Sequence, residues 1–390
     1  MGITVTSVPP AGPEAEKPPA HHVGRPPTSF VNPWPSFDPR DRSGLNVLKR
    51  RFARDRPRFV PVPGRDELVP IREPDWGGER RGLKATWIGH ASFLIETCCA
   101  AGAARGVRIL CDPVFSERTS PVQFLGPKRY SPPPCALDEL PDVDAVVISH
   151  DHYDHLDYAT VQHLHRTRKD QIHFLCALNV AAWFHGCGIP PAQVTELDWW
   201  DGVVLEVGGV GAASLTCTPS QHFSGRGLFN RDGTLWCSWV LAEVAHPPLR
   251  TPSPTPHKVY FAGDTGYRSV PEDGMTAEEE LKLPHCPAFA EIGRRLGPFD
   301  LALLPIGLCS PRKFAAPVHC NPADSIRVHK DLGSKKSIGM HFGTVRGGIS
   351  QEYEAVTDPP RWWRQAADRE RLKWGEEIGL LDIGETLVLE

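Results

Sequence analysis

Residues 149–157 read S-H-D-H-Y-D-H-L-D, so three histidines and three aspartates fall within the eight residues from His150 to Asp157. Imidazole and carboxylate are the ligand types that suit Zn²⁺, with Fe and Mn as competitors. His150 and His152 flank Asp151, so both rings can point the same way. Asp154 and His155 belong to the next turn of chain and can serve a neighbouring ion. The string reads as half of a two-metal site. Scattered histidines usually mark a solvated turn, but this density directly behind an apolar run is a ligand pattern.

Ligands need rigid supports, and the apolar run 144–148 supplies one as a short buried strand beneath the loop. Three further candidates also stand at predicted strand ends: His222 after 215–219, Asp264 after 258–262 and His341 after 336–340. The strands 84–89 and 92–96 should meet at a Gly89-His90 turn, and 107–111 should end at Asp112. Residues 172–177, 235–244 and 300–306 also read as strands. A helix is expected over 156–166, with Asp157 near its start. A second should begin at Asn321-Pro322, with Asn capping and Pro at the first position, and run to Asp331. Residues 245–257 read as a Pro-rich surface loop. Residues 350–390, with Trp362, Trp363 and Trp374, should supply a closing helix and terminal strands.

Residues 1–28 contain seven prolines and are expected to be a disordered tail. Residues 29–82 read as an aromatic and basic extension packed on the domain, with a short basic helix at 45–52. The catalytic domain should occupy 83–390. A net charge of −4 argues against a nucleic-acid partner. The eleven cysteines form no C-x-x-C pair, so reduced thiols are expected rather than a disulfide framework. No apolar stretch is long enough to span a bilayer and no signal segment is read. The expected location is intracellular, cytoplasmic or peripheral on a membrane. Residues 1–6 fit the loose M-G-x-x-x-[ST] acylation pattern. The run 40–58 holds eight Lys and Arg against Asp41 and Asp55, a patch suited to peripheral contact with an anionic membrane.

The pattern H-x-H-x-D-H resembles that of the metallo-β-lactamase superfamily. The longer string 148–157, G-H-A-S-F-L-I at 89–95, D-P-V-F at 112–115, G-D-T-G at 263–266 and M-H-F-G-T at 340–344 resemble its N-acylphosphatidylethanolamine-hydrolysing phospholipase D branch. That branch usually carries Asn where this chain has Asp151, an unliganded position. The resemblance implies an α/β fold, the αβ/βα sandwich of two mixed sheets flanked by helices. It also implies two Zn²⁺ per chain: His150, His152 and His222 on one, Asp154, His155 and His341 on the other, and the Asp264 carboxylate between them. A carboxylate suits the bridge because it offers two oxygens and a negative charge. Residues 318–322, V-H-C-N-P, resemble the family segment whose histidine sits over the active site, which makes His319 a candidate to bind a phosphoryl oxygen or protonate the leaving group. His90 lies on a turn the superfamily places near the metals. Asp112 and Asp157 are candidates to orient metal-bound imidazoles. The remaining histidines read as structural or exposed.

The activity implied is that of a zinc-dependent phosphodiesterase. It would cleave N-acylphosphatidylethanolamine to N-acylethanolamine and phosphatidic acid through a metal-bridged hydroxide, with Asp154 and Asp264 tuning that hydroxide as ligands. Trp87, Phe115, Phe124, Phe223, Phe229 and Trp236 stand near the motifs and are candidates for an acyl groove, although such aromatics are more often core. Two other readings stay open: a soluble metal-dependent hydrolase of a small phosphorylated or lactone substrate, and a non-catalytic metal-bound binding module.

Overall fold

Strand side chains alternate between faces, and here both faces of the central strands are covered. Ile109, Cys111, Ala145, Val147, Leu175 and Ala177 enter one apolar core, whereas their neighbours Leu110, Val146, Phe174 and Cys176 enter a second. A computed structural model describes residues 2–8, 19–38, 58–100, 102–227, 229–244 and 256–390. Within them the strands assemble into two large mixed sheets.

The first sheet has eight strands in the spatial order Ile3–Val8, Gly202–Val207, Gly211–Thr218, Ser238–Glu243, Lys258–Phe261, Leu301–Pro305, Ser337–Met340 and Ile378–Gly379. The second has seven, in the order Thr386–Leu389, Leu83–Gly89, Ser92–Glu96, Arg108–Cys111, Ala145–Val147, His173–Ala177 and Val194–Leu197. Pairing is parallel from Lys258–Phe261 to Ile378–Gly379 and from Arg108–Cys111 to Val194–Leu197, and antiparallel elsewhere. The core between the sheets takes Ala85, Phe93 and Ile109 from one and Leu205, Leu215 and Val259 from the other. Helices Tyr158–Arg168 and Ala181–Gly186 cover the seven-stranded sheet through Val161, Leu164 and Phe184. Helices Ala288–Leu296, Pro322–Leu332 and Asp358–Arg369 pack with the eight-stranded sheet through Phe289, Val328 and Trp363. Fully burying a side chain such as Phe289 contributes about 1.5–3 kcal/mol. The architecture is the expected αβ/βα sandwich.

Local signals act as the physics requires. Asn321 caps Pro322–Leu332 by accepting from Asp324 N at 2.8 Å, and Gly333 ends the helix with φ of 63°. The N-terminus departs from expectation. Ile3–Val8 lies in the segment expected to be disordered, yet it pairs antiparallel with Gly202–Val207 along its whole length. Ile3 and Val5 pack on the core, so an alternation of apolar and Thr residues outweighs the prolines that follow. Residues 29–38 dock on the domain: Phe30 is buried, Trp34 stacks on Trp199 at 5.4 Å and Asn32 Nδ2 donates to the His222 carbonyl at 2.7 Å. The helix at 45–52, the basic run apart from Arg58, and most of the Pro-rich loop (245–255) lie outside the described residues.

Candidate metal centre

Each candidate ligand lies on a loop that follows a strand, and short polar links lock those loops together. Asp112, fully buried with φ of 40°, follows Arg108–Cys111 and accepts from Ser149 N at 2.7 Å, Ser149 Oγ at 2.5 Å and His155 Nδ1 at 2.7 Å. Ser149 Oγ also lies 2.9 Å from His150 Nδ1, so one carboxylate orders both imidazoles. Gly263 has φ of 57°, and a Cβ there would fall 2.5 Å from the Ser149 Cβ. Only glycine lets the Asp264 strand end close on the histidine loop. A Cβ on Gly266 would meet the Pro317 carbonyl at 2.3 Å, which is how the segment carrying His319 comes close. His341 N donates to the His90 carbonyl at 2.9 Å, and both histidines have positive φ, 62° and 51°. Such backbone costs on the order of 1–3 kcal/mol per residue and clusters at functional sites. Trp87 braces this turn, its indole donating to the His90 carbonyl at 2.9 Å while its ring stacks on Phe342 at 5.0 Å.

The structure brings all seven sequence-derived metal candidates together. His152 Nδ1 lies 2.9 Å from His150 Nε2 and 3.3 Å from His222 Nε2, forming one trio. Asp154 Oδ2 lies 3.9 Å from both His155 Nε2 and His341 Nε2, forming the other. Asp264 stands between: Oδ1 is 2.8 Å from His341 Nε2, while Oδ2 is 3.3 Å from His155 Nε2 and 3.8 Å from His222 Nε2. His319 reaches the site, with Nδ1 3.7 Å from Asp264 Oδ2. His90 does so too, with Nε2 3.1 Å from Asp154 Oδ2.

Burial holds His150 and His222 well below the usual imidazole range, aided for His150 by the neighbouring rings, so both present neutral donors. His222 Nδ1 is engaged with the Val318 carbonyl at 2.9 Å, which leaves Nε2 for the site. Burial opposes charge on His155, but Asp264, Asp154 and Asp112 overcome it and raise the ring well above its ordinary value. Burial likewise opposes ionisation of Asp264, yet His341 and His155 hold its carboxyl well below the usual range.

Residues 107–342 match the Beta-lactamase superfamily domain. N-acyl-phosphatidylethanolamine-hydrolyzing phospholipase D 1 of Caenorhabditis elegans is 36% identical over 295 residues, 74% of this chain and 72% of that protein. The chain belongs to this branch of the metallo-β-lactamase superfamily. An uncharacterised Mycobacterium tuberculosis protein is 38% identical over 283 residues, 71% of this chain but only 63% of its own length. Isothiocyanate hydrolase from Delia radicum gut bacteria shares the fold, with a TM-score of 0.51 at 17% identity over 78% of this chain and 99% of that one. The superfamily and its hydrolase members make this chain a metal-dependent hydrolase.

The candidate centre opens to a cleft of about 300 Å³. Its wall includes Phe223, Leu308, Phe314, Val345 and Ile349 beside His152, Asp154, Asp264 and His319. Of the six aromatics considered for an acyl groove, only Phe223 lines it. Trp87 and Trp236 are buried core, Phe115 packs under the helix-covered face, and Phe124 and Phe229 are exposed. Asp157 also departs from expectation. Its carboxylate meets no imidazole and instead accepts from Phe115 N, Ser116 N, Ser116 Oγ and Thr160 Oγ1. Sequence reading missed the buried Glu354, which accepts from Leu308 N, Cys309 N and Ser310 N and so sets the loop bearing Leu308. No local spacing marks it, because its partners lie more than forty residues away.

Proposed function

We propose that this hydrolase is a two-zinc phosphodiesterase that cleaves N-acylphosphatidylethanolamine to N-acylethanolamine and phosphatidic acid. The observation that carries this reading is the pair of donor trios with Asp264 within reach of both. The donors fit a pair of cations. His155 Nε2, His341 Nε2 and Asp264 Oδ1 are buried and make no hydrogen bond, although the two nitrogens lie 3.3 and 2.8 Å from Asp264 oxygens. Buried nitrogen and oxygen atoms crowded this closely without well-formed hydrogen bonds among themselves are what a cation site needs. His150, His152 and His222 would hold one ion, Asp154, His155 and His341 the other, and Asp264 would bridge. Two zinc ions supply Lewis acidity to a phosphoryl group and a water ionised near neutral pH.

The chain's own residues do the rest. Asp112 and the Val318 carbonyl fix the tautomers of His155 and His222. His90 orients Asp154. His319, on the cleft wall, is placed to hydrogen-bond a phosphoryl oxygen or give a proton to the departing ethanolamine oxygen. Phe223, Leu308, Phe314 and Ile349 offer apolar surface to acyl chains.

A lipid substrate also accords with the rim. The loop 118–128 is closed by pairing of Arg118 with Lys128, and its ends Thr119 and Pro127 line the cleft. Its tip presents Phe124 at 81% and Leu125 at 67% exposure. Phe229, 99% exposed, stands on the loop that follows cleft-lining Phe223. Apolar tips at a hydrolase mouth suit entry into a lipid surface. The curated relative named for this reaction supports the same substrate class. No helix among the described residues is long and apolar enough to cross a membrane. The test is product analysis on vesicles of N-acylated phosphatidylethanolamine. N-acylethanolamine with phosphatidic acid is expected, and diacylglycerol or free fatty acid would mean a different bond is cut.

A further inference from the structure

A second cluster of ligand-type side chains lies at the other end of the sandwich. Cys98 follows the end of Ser92–Glu96, Glu243 ends Ser238–Glu243, and His257 immediately precedes Lys258–Phe261. The catalytic candidates sit at the opposite ends of the same strands: His90 precedes Ser92, Ser238 pairs beside the His222 strand end, and Asp264 follows Phe261. A four-residue strand such as Lys258–Phe261 spans about 13 Å, so the two clusters are separate. Cys98 hangs from the seven-stranded sheet, Glu243 and His257 from the eight-stranded one.

The three donor atoms lie within 4.8 Å of one another, and two of their separations match those around a tetrahedral ion. Cys98 Sγ lies 3.7 Å from His257 Nδ1, which lies 3.1 Å from Glu243 Oε2. Ordinary zinc bond lengths and tetrahedral angles put sulfur and nitrogen ligands about 3.6 Å apart, and nitrogen and oxygen ligands about 3.3 Å apart. The carboxylate is held in place by the other two residues' own backbone. Glu243 Oε1 accepts from Cys98 N at 2.6 Å and Oε2 from His257 N at 2.9 Å. Preset support of this kind is what orients ligands at metal sites. We propose that Cys98, Glu243 and His257 bind a third, zinc-class divalent cation, with water as fourth ligand, that ties the two sheets together away from the catalytic centre.

Without a cation, burial and then the adjacent Glu243 push the Cys98 thiol up to about 12, so it is neutral; a bound cation would displace that proton. This gives the site a signature of its own, because the seven catalytic candidates are all His or Asp. Cobalt-loaded full-length protein should show a near-ultraviolet thiolate-to-cobalt charge-transfer band and three metal equivalents. Cys98→Ser should lose the band and one equivalent, while Asp264→Asn should keep the band. If Cys98→Ser does not fold, alkylation of the native wild type, mapped by mass spectrometry, serves instead: zinc should slow modification of Cys98 at least tenfold and leave exposed Cys99 unchanged. A wild type with no band at saturating cobalt, a band that survives Cys98→Ser, or Cys98 alkylation indifferent to zinc would overturn the proposal.

Discussion

Asp112 stands outside both donor trios, yet any ion held by His150 or His155 would depend on it. Its Oδ2 receives the His155 Nδ1 proton at 2.7 Å and the Ser149 hydroxyl at 2.5 Å, and that hydroxyl lies against His150 Nδ1. In Asp112→Asn the amide oxygen can keep the Ser149 N–H, but the NH₂ then faces His155. Either two donors confront each other or His155 shifts its proton to Nε2, the atom required for the ion. A buried hydrogen bond to a charged group contributes about 1.5–3 kcal/mol, equivalent to a roughly 10- to 100-fold change in an equilibrium. Loss of a supporting partner at a metal site costs a similar about 10- to 100-fold in affinity or activity. Metal affinity measured against a competing chelator should therefore fall by that factor, with kcat falling alongside. Asp112→Ala should also lower thermal stability, because buried Ser149 N and His155 Nδ1 lose their acceptor. Asp112→Asn protein whose metal affinity and turnover both stay within about twofold of wild type would refute this reasoning.

Three other outcomes follow from the geometry. His319→Ala should lower kcat about a hundredfold while metal content holds, since the ring lines the cleft outside both donor trios; equal loss of metal would assign His319 a ligand role instead. Phe124→Ser and Phe229→Ser should each weaken vesicle binding by roughly tenfold or more, from about 1.5–3 kcal/mol of lost apolar burial, and leave a soluble short-chain analogue unaffected. His173 is pushed down to about 4 by burial, its Nε2 against Thr195 Oγ1 at 2.8 Å. The unfolded chain takes up this proton near pH 6.5 and the folded chain only near 4, so folding stability falls as pH drops through that window, by on the order of 3 kcal/mol. Other buried histidines such as His90 add to the same slope, so His173→Gln should reduce it in denaturant titrations without abolishing it, and an unchanged slope would exclude His173 as a contributor.

The candidate set was legible because an apolar run with His or Asp on the loop just behind it marks a strand-end position, at once for His341 and within one to four residues for His150, Asp264 and His222. Asp112 was legible for the same reason. Asp157 was misread because its loop position suits a ring partner equally well; only the fold shows that its oxygens close on the backbone at 115–116. Ile3–Val8 was masked by the prolines behind it, since disorder is judged from composition over a window and a six-residue alternation is diluted there. Of the apolar cleft wall only Phe223 was legible. Leu308, Phe314 and Ile349 come from separate loops whose approach depends on long-range anchors such as Glu354.

The bond that breaks is the central claim, and hydrolysis in heavy-oxygen water tests it most directly. With vesicles of N-acylated phosphatidylethanolamine, attack at phosphorus and departure of the ethanolamine oxygen put the label on phosphatidic acid and leave N-acylethanolamine unlabelled. Mass spectrometry showing label in N-acylethanolamine, or in a fatty acid or diacylglycerol in place of the expected pair, would contradict the account.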